Sequence, residues 1–137
     1  ALGEATVAGL QRATRPEPRL RAPGRRIEVQ LRRQLALLIE GNRVVRAVHI
    51  SSGAGGATPR GSFRVFRKER YSWSVPFKVW LPWASYFTGG IAFHEFASVP
   101  TYPASHGCVR VNRYDAPTLF GFAETGTPVD VLDEATA

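Results

Sequence analysis

The feature that most constrains the fold is a series of six short apolar runs. They are IEVQL (27–31), LALLIE (35–40), RVVRAVHIS (43–51), SFRVF (62–66), IAFH (91–94) and PVDVL (128–132). Runs of this length suit strands and are too short for ordinary helices. IEVQL and SFRVF alternate apolar with polar residues, as a strand with one buried face does, whereas LALLIE is more continuous. Gly41-Asn42 between the second and third runs is a hairpin signal. Gly- and Pro-rich loops, 51–61 and 98–107, join the rest. One helix is expected near 116–123: Asp115 caps it, Ala116 and Pro117 fill its first turn, Leu119, Phe120 and Ala123 face inward, and Gly126 ends it. The expectation is a mostly β domain with one short helix.

The segments before Ile27 read differently. Residues 1–13 carry apolar residues at loose helical spacing, and 14–25 (TRPEPRLRAPGR) hold three prolines and four arginines, as an extended, unpacked linker would. A chain of 137 residues with 44% hydrophobic and 21% charged residues is an ordinary globular domain, which excludes disorder over its whole length. No stretch approaches the roughly 20 apolar residues of a membrane-crossing helix, and the first residues show no basic start followed by an apolar core. Charge is uneven: residues 1–70 hold 15 Lys and Arg against 5 acids, and 71–137 hold 3 against 6, which sums to the net +7. A basic half suits nucleic acid, an anionic membrane or a wall polymer, and equally a solvated surface. The single cysteine, Cys108, excludes an internal disulfide and a zinc site built on paired cysteines.

Chemistry concentrates in HEFASVPTYPASHGCVRVN, from His94 to Asn112. A thiol is a weak nucleophile until a neighbouring imidazole takes its proton, which is typically worth about 10² to 10⁴ in rate. The resulting oxyanion needs donors, and Gly107 permits the close backbone approach that lets the amides of Gly107 and Cys108 point at one oxygen. Two bases are available by spacing. His106 lies two residues from Cys108; His94 ends a strand, and a loop stiffened by Pro100 and Pro103 can return the chain beside it. The aromatic stretch 71–87 contains all three tryptophans. Pro76 and Pro82 are expected to break regular structure there and leave an aromatic-lined cleft or lid.

SHGCVR (105–110) behind a strand-ending histidine resembles the signature of L,D-transpeptidase catalytic domains, the YkuD-like family. GATPRGSF (56–63), YFTGGIAFH (86–94) and GTPVDV (126–131) resemble further features of that family, and the likeness covers roughly residues 26–132. It implies a β-sandwich of the L,D-transpeptidase type, with Cys108 as nucleophile and His94 as base. Ser105, His106 and Gly107 would shape the oxyanion hole and groove, and Arg110 and Tyr86 would contact substrate. No metal or cofactor is implied. The implied partners are donor and acceptor peptidoglycan stem peptides and carbapenem-type inhibitors, without nucleic acid or a membrane span. The implied place is outside the cytoplasm, in an exported protein. The implied reaction is thioester-mediated 3→3 cross-linking, with L,D-carboxypeptidase activity as its variant when water is the acceptor. Residues 1–13 resemble the last helix of a peptidoglycan-binding repeat, which would make the chain part of a longer protein, with 133–137 as a tail. Glu95 departs from the family's small residue after the histidine, and a carboxylate there is expected to raise the histidine's pKa. The thiol is expected to have a low pKa and to oxidise readily.

Two rival classes use the same residues: a metal site of His94, His106 and Cys108, and a non-catalytic wall- or nucleic-acid-binding module driven by the basic half. Among single residues, His49 reads as structural, Ser51 to Gly53 as a turn, and Arg60 as a surface arginine. Arg110 is divided between binding a carboxylate and forming a structural salt bridge.

Overall fold

A computed structural model describes residues 17–20 and 23–133. Among these residues nine strands occur in chain order: β1 (Arg25–Gln30), β2 (Leu35–Glu40), β3 (Arg43–Ser51), β4 (Gly61–Arg64), β5 (Arg67–Ser74), β6 (Val79–Thr88), β7 (Ile91–Glu95), β8 (Val109–Val111) and β9 (Pro128–Leu132). A short 3-10 turn, Ala54–Gly56, follows β3, and one helix, α1 (Ala116–Phe122), precedes β9. The strands form one curled sheet in the order β4-β9-β1-β2-β3-β8-β7-β6-β5. β3 joins its two halves: most of its length pairs with β2, while Ile50 and Ser51 pair with β8. Both halves feed one core, which takes Ile27, Val29, Leu38 and Val48 from one side and Phe93, Val109 and Val111 from the other, with Leu119 of α1. Among the described residues this is the β-sandwich with one short helix that the strand pattern and the resemblance implied.

Gly41 and Asn42 both have positive φ, 53° and 69°, the backbone that a two-residue hairpin loop requires. The aromatic stretch corrects the expectation of broken structure, because 67–88 is a two-stranded antiparallel hairpin. Pro82 lies inside β6 opposite Tyr71. β7 pairs only with the Ser85–Thr88 end of β6, so Pro82 sits where one flank of the strand is open, a position proline tolerates. Pro76 lies in the turn between β5 and β6. In α1, Asp115 makes no side-chain cap. Its carboxylate takes Arg46 and Asn112 instead, while Asn112 Oδ1 accepts the amides of Tyr114 and Asp115. Phe120 is only half-buried, edge-on to Trp83, and the helix stops at Phe122, four residues before Gly126.

The alternation in IEVQL does not give β1 a wet face, since Arg26 through Gln30 are all buried. Residues 17–20 lie over the polar side. Glu28 accepts the amides of Arg19 (2.9 Å) and Leu20 (3.0 Å), and Gln30 Nε2 donates to the Glu17 carbonyl at 2.9 Å. Arg26 donates to the Leu20 carbonyl and pairs with Glu28 at 3.5 Å. The linker expectation is therefore corrected for 17–20, which pack on the sheet; 14–16, 21–22, the expected helix 1–13 and residues 134–137 lie outside the described residues. Removing Glu28 would leave two backbone amides without a partner in a dry site and leave Arg26 only the more distant Asp130 carboxylate, at 3.9 Å. Glu28→Ala should cost about 3–5 kcal/mol of stability, read from urea unfolding of both proteins; a loss below about 1 kcal/mol would contradict this.

Candidate active site

The β7 and β8 strands run parallel side by side, with His94 opposite Arg110 and Phe93 opposite Val109. This pairing closes the excursion between His94 and Cys108, so Cys108 emerges one residue before β8, beside the strand that carries His94. The returning loop is pinned to β3. His49 Nε2 contacts the carbonyls of Val99 and Pro100, both at 3.1 Å, and Ser51 Oγ donates to the Tyr102 carbonyl at 2.7 Å. The amides of Ala104 and Ser105 donate to the Ser52 carbonyl, and Gly53 bridges to Ser105. His49 is structural as expected. Ser51 to Gly53 are more than a turn, because they anchor the loop that carries Cys108.

Around Cys108 the backbone is tightly determined. Gly107 has φ +149°, and a Cβ on it would lie 2.8 Å from Ile91 Cδ1. Its carbonyl accepts Thr58 Oγ1 at 2.6 Å, and Thr58 Oγ1 accepts the Gly53 amide at 2.7 Å. Gly53 is just as crowded, since a Cβ there would meet Gly107 Cα at 2.9 Å. Thr58 was not singled out from the sequence, and Gly53 was read there only as part of a turn. The signal was the TPRG segment itself, whose threonine ties the loop after β3 to the cysteine's turn. Ser105 is buried; its hydroxyl donates to the Cys108 carbonyl and accepts the Gly107 amide at 3.1 Å. The Gly107 amide can therefore meet an oxyanion only by leaving Ser105. Gly107→Ala should destabilise the fold by about 1–3 kcal/mol through backbone strain and displace Cys108, visible as a lower thermal midpoint together with slower thiol labelling of folded protein.

His94 is buried, and its Nδ1 lies 2.8 Å from the Glu95 carbonyl. A carbonyl only accepts, so Nδ1 carries the proton and Nε2 keeps its lone pair. Burial pushes His94 below the ordinary histidine range; the Glu95 carbonyl opposes this, and the Arg110 charge adds to it. Glu95 does raise the histidine, but through its backbone carbonyl and not its carboxylate, and burial outweighs it, so the net shift is downward. Cys108 is half-buried against Leu81, Ala84, Tyr86 and Ala92, and its Sγ donates to the Gly90 carbonyl at 3.5 Å. Burial pushes its thiol up, offset in part by the Ala92 backbone. The expected low-pKa thiol is corrected, because both shifts favour a neutral thiol beside a neutral imidazole over a standing ion pair.

These groups open into a cleft of about 660 Å³, walled on one side by the β5–β6 hairpin through Trp73, Phe77, Val79 and Leu81. His94, Ser105, His106, Cys108, Arg110 and Tyr86 all line it. His106 is exposed and stacks on Phe77, with centroids 4.6 Å apart and planes at 16°. Tyr86 is buried, and its hydroxyl lies 2.5 Å from Ser72 Oγ, which donates to Glu69. Arg110 makes no ion pair among the described residues. Its guanidinium lies 4.1 Å over the Phe96 ring and reaches the Ser98 carbonyl at 3.4 Å. Arg60 pairs with Asp133 beside a separate, smaller cleft of about 280 Å³. Among the described residues no three His, Cys, Asp or Glu side chains group as metal ligands do.

Residues 24–131 match the YkuD family, described as an L,D-transpeptidase catalytic domain. No curated protein is significantly similar to the chain. An L,D-transpeptidase from Xylanimonas cellulosilytica superimposes with a TM-score of 0.82 at 36% identity, over 95% of this chain and 70% of that one. One from Stackebrandtia nassauensis gives 0.79 at 29% identity, over 95% and 67%. L,D-transpeptidase 3 from Mycobacterium tuberculosis, in complex with a faropenem-derived adduct, shares the fold with a TM-score of 0.68 at 20% identity, over 80% and 60%.

Proposed function

Because the chain belongs to the YkuD family of L,D-transpeptidase catalytic domains, we propose that it is a cysteine acyltransferase that forms 3→3 cross-links between peptidoglycan stem peptides. The observation that carries this reading is the placement of His94 and Cys108 on neighbouring chains of the sheet, opening into one cleft, with His94 Nε2 left free by the Glu95 carbonyl. In the proposed reaction Sγ of Cys108 attacks the carbonyl of the third stem residue while His94 Nε2 takes the thiol proton. Attack and proton transfer run together, since burial disfavours the charged form of each partner. The Cys108 amide lies next to the developing oxyanion. The C–N bond to D-Ala breaks, the leaving amine takes the proton from His94, and a thioester remains. The amine of a second stem attacks the thioester, His94 takes its proton, and the cysteine leaves as a thiol. The reaction uses no cofactor.

The substrate places this chemistry outside the cytoplasm, at the cell wall, with residues 26–132 as the catalytic unit. Incubation with a donor tetrapeptide should add the acyl mass to Cys108, and an added acceptor stem should discharge it as a cross-linked dimer. Release only as free tripeptide would make the protein an L,D-carboxypeptidase. A carbapenem, which presents a strained acyl carbonyl, should add its mass to the same residue. Failure of both adducts on folded protein would overturn the reading and return the non-catalytic wall-binding alternative.

A further inference from the structure

Of eleven large apolar side chains exposed among the described residues, six fall within 71–80, the outer part of the β5–β6 hairpin: Tyr71, Trp73, Val75, Phe77, Val79 and Trp80. This part stands clear of the sheet, because β5 is an edge strand and β7 pairs only with Ser85–Thr88 of β6. Its two faces differ. Leu81 is buried with Cys108 on the cleft side. Trp80 precedes it in the strand and so points the other way; it stands opposite Trp73, with Tyr71 two residues further along the same face. Tyr71 and Trp80, 60% and 61% exposed, take no part in the cleft lining, so substrate in the cleft leaves them uncovered. Charge on the hairpin is one-sided: Arg67, Lys68, Arg70 and Lys78 against Glu69, and no acid follows before Glu95. The Arg70 guanidinium lies 3.4 Å over Trp83 and 4.4 Å over Tyr71. Neither Arg70 nor Lys78 has an ion pair among the described residues.

We propose that the tip of this hairpin docks on an anionic lipid surface. Val75 and Trp80 enter the headgroup layer, and Arg70 and Lys78 meet the lipid phosphates. Val75, 72% exposed, opens the turn between the two strands, and Lys78 closes it in a left-handed backbone, φ 53°. Tryptophan and tyrosine, with an apolar body and a polar edge, suit a lipid–water boundary. A guanidinium laid flat on a ring keeps its N–H edge for phosphate. Two other occupants fit the surface less well. A sugar ring stacks on a flat plate, whereas Trp73 and Trp80 meet edge to face, with centroids 5.2 Å apart and planes at 61°. A second copy related by a two-fold axis through this face would bring the four cations of each chain together with one acid apiece. The inner face of the same hairpin walls the cleft, so docking holds the cleft beside the lipid surface. The inference does not rest on the acyl-transfer chemistry proposed above.

The test sediments the protein with sucrose-loaded vesicles of phosphatidylglycerol and phosphatidylcholine, and with vesicles of phosphatidylcholine alone. Partition should be at least about tenfold stronger on the anionic vesicles, with a blue shift of tryptophan emission, and should fall severalfold between about 50 and about 300 mM salt. Trp80→Ser should weaken it about tenfold or more, and Lys78→Gln about fivefold. Arg43→Gln removes the same charge where β3 pairs with β2, in the other half of the sheet, and should change partition by less than about twofold. Thermal midpoints and turnover of a soluble tetrapeptide should match wild type in Trp80→Ser and Lys78→Gln, since neither residue lines the cleft. If wild type ignores anionic vesicles, if Trp80→Ser binds them as wild type does, or if Arg43→Gln loses as much as Lys78→Gln, the inference falls and the acyl-transfer reading is untouched. Without vesicle binding, a dimer that Trp80→Ser abolishes would overturn it in favour of a second copy, and salt-independent quenching of tryptophan by a wall oligosaccharide would overturn it in favour of a glycan.

Discussion

Cys108→Ser should yield a folded protein whose stem-peptide turnover has dropped at least about 10⁴-fold, to background. A serine hydroxyl is far less acidic than a thiol, and loss of a nucleophile ordinarily removes nearly all of an acyl-transfer enzyme's chemistry. The fold should not suffer. Cys108 Sγ has one weak hydrogen bond, to the Gly90 carbonyl, and the turn around it is held by Thr58 and Ser105 through backbone atoms that serine also has. Far-UV circular dichroism and the thermal midpoint should match wild type within a few degrees, and the donor adduct should vanish from the intact-mass spectrum. Turnover by the serine protein near the wild-type rate would remove Cys108 from the mechanism.

How far the sequence could be read follows from where its local signals agree with tertiary structure. Gly41-Asn42 placed the first hairpin because two successive positive-φ residues have few other uses. PVDVL gave β9 with its boundaries intact, since both ends carry turn residues. β5 was missed because RKERYSWS has no apolar alternation; it is an edge strand whose exposed side faces water and whose other side forms the cleft wall. β8 is three residues long and exists only because β3 and β7 flank it. The buried face of β1 was illegible because the partners of Glu28 and Gln30 are backbone groups of 17–20, which no side-chain pattern announces. The site was legible to the extent that it is local. The turn Ser105-His106-Gly107-Cys108 and the strand-ending His94 stand in the sequence, and their pairing came from the resemblance. The sign of the pKa shifts was not legible, because burial of both groups is a property of the closed sheet.

His94→Ala should lose about 10²- to 10⁴-fold in acylation rate, the usual worth of a positioned base, whereas His106→Ala should lose less than about tenfold. The two histidines differ in what holds them. His94 is buried with Nδ1 on a carbonyl, so its Nε2 is oriented; His106 is exposed and held by a ring stack on Phe77, with neither nitrogen directed by a partner. The pH dependence separates their roles further. A base works only when unprotonated, and burial and Arg110 depress the His94 pKa. The neutral form therefore persists to lower pH, and the acid limb of kcat/KM should have its midpoint below the ordinary imidazole value of about 6.5. Arg110→Gln removes one of the two depressing causes and should move that limb toward neutrality. In His94→Ala the limb should disappear. The residual rate should instead climb with the thiolate fraction, about tenfold per pH unit, and level off only above the ordinary thiol range, because burial raises the Cys108 pKa. A larger loss in His106→Ala, or an acid limb that survives in His94→Ala, would transfer the base to His106 and make the Phe77 stack the feature that positions it.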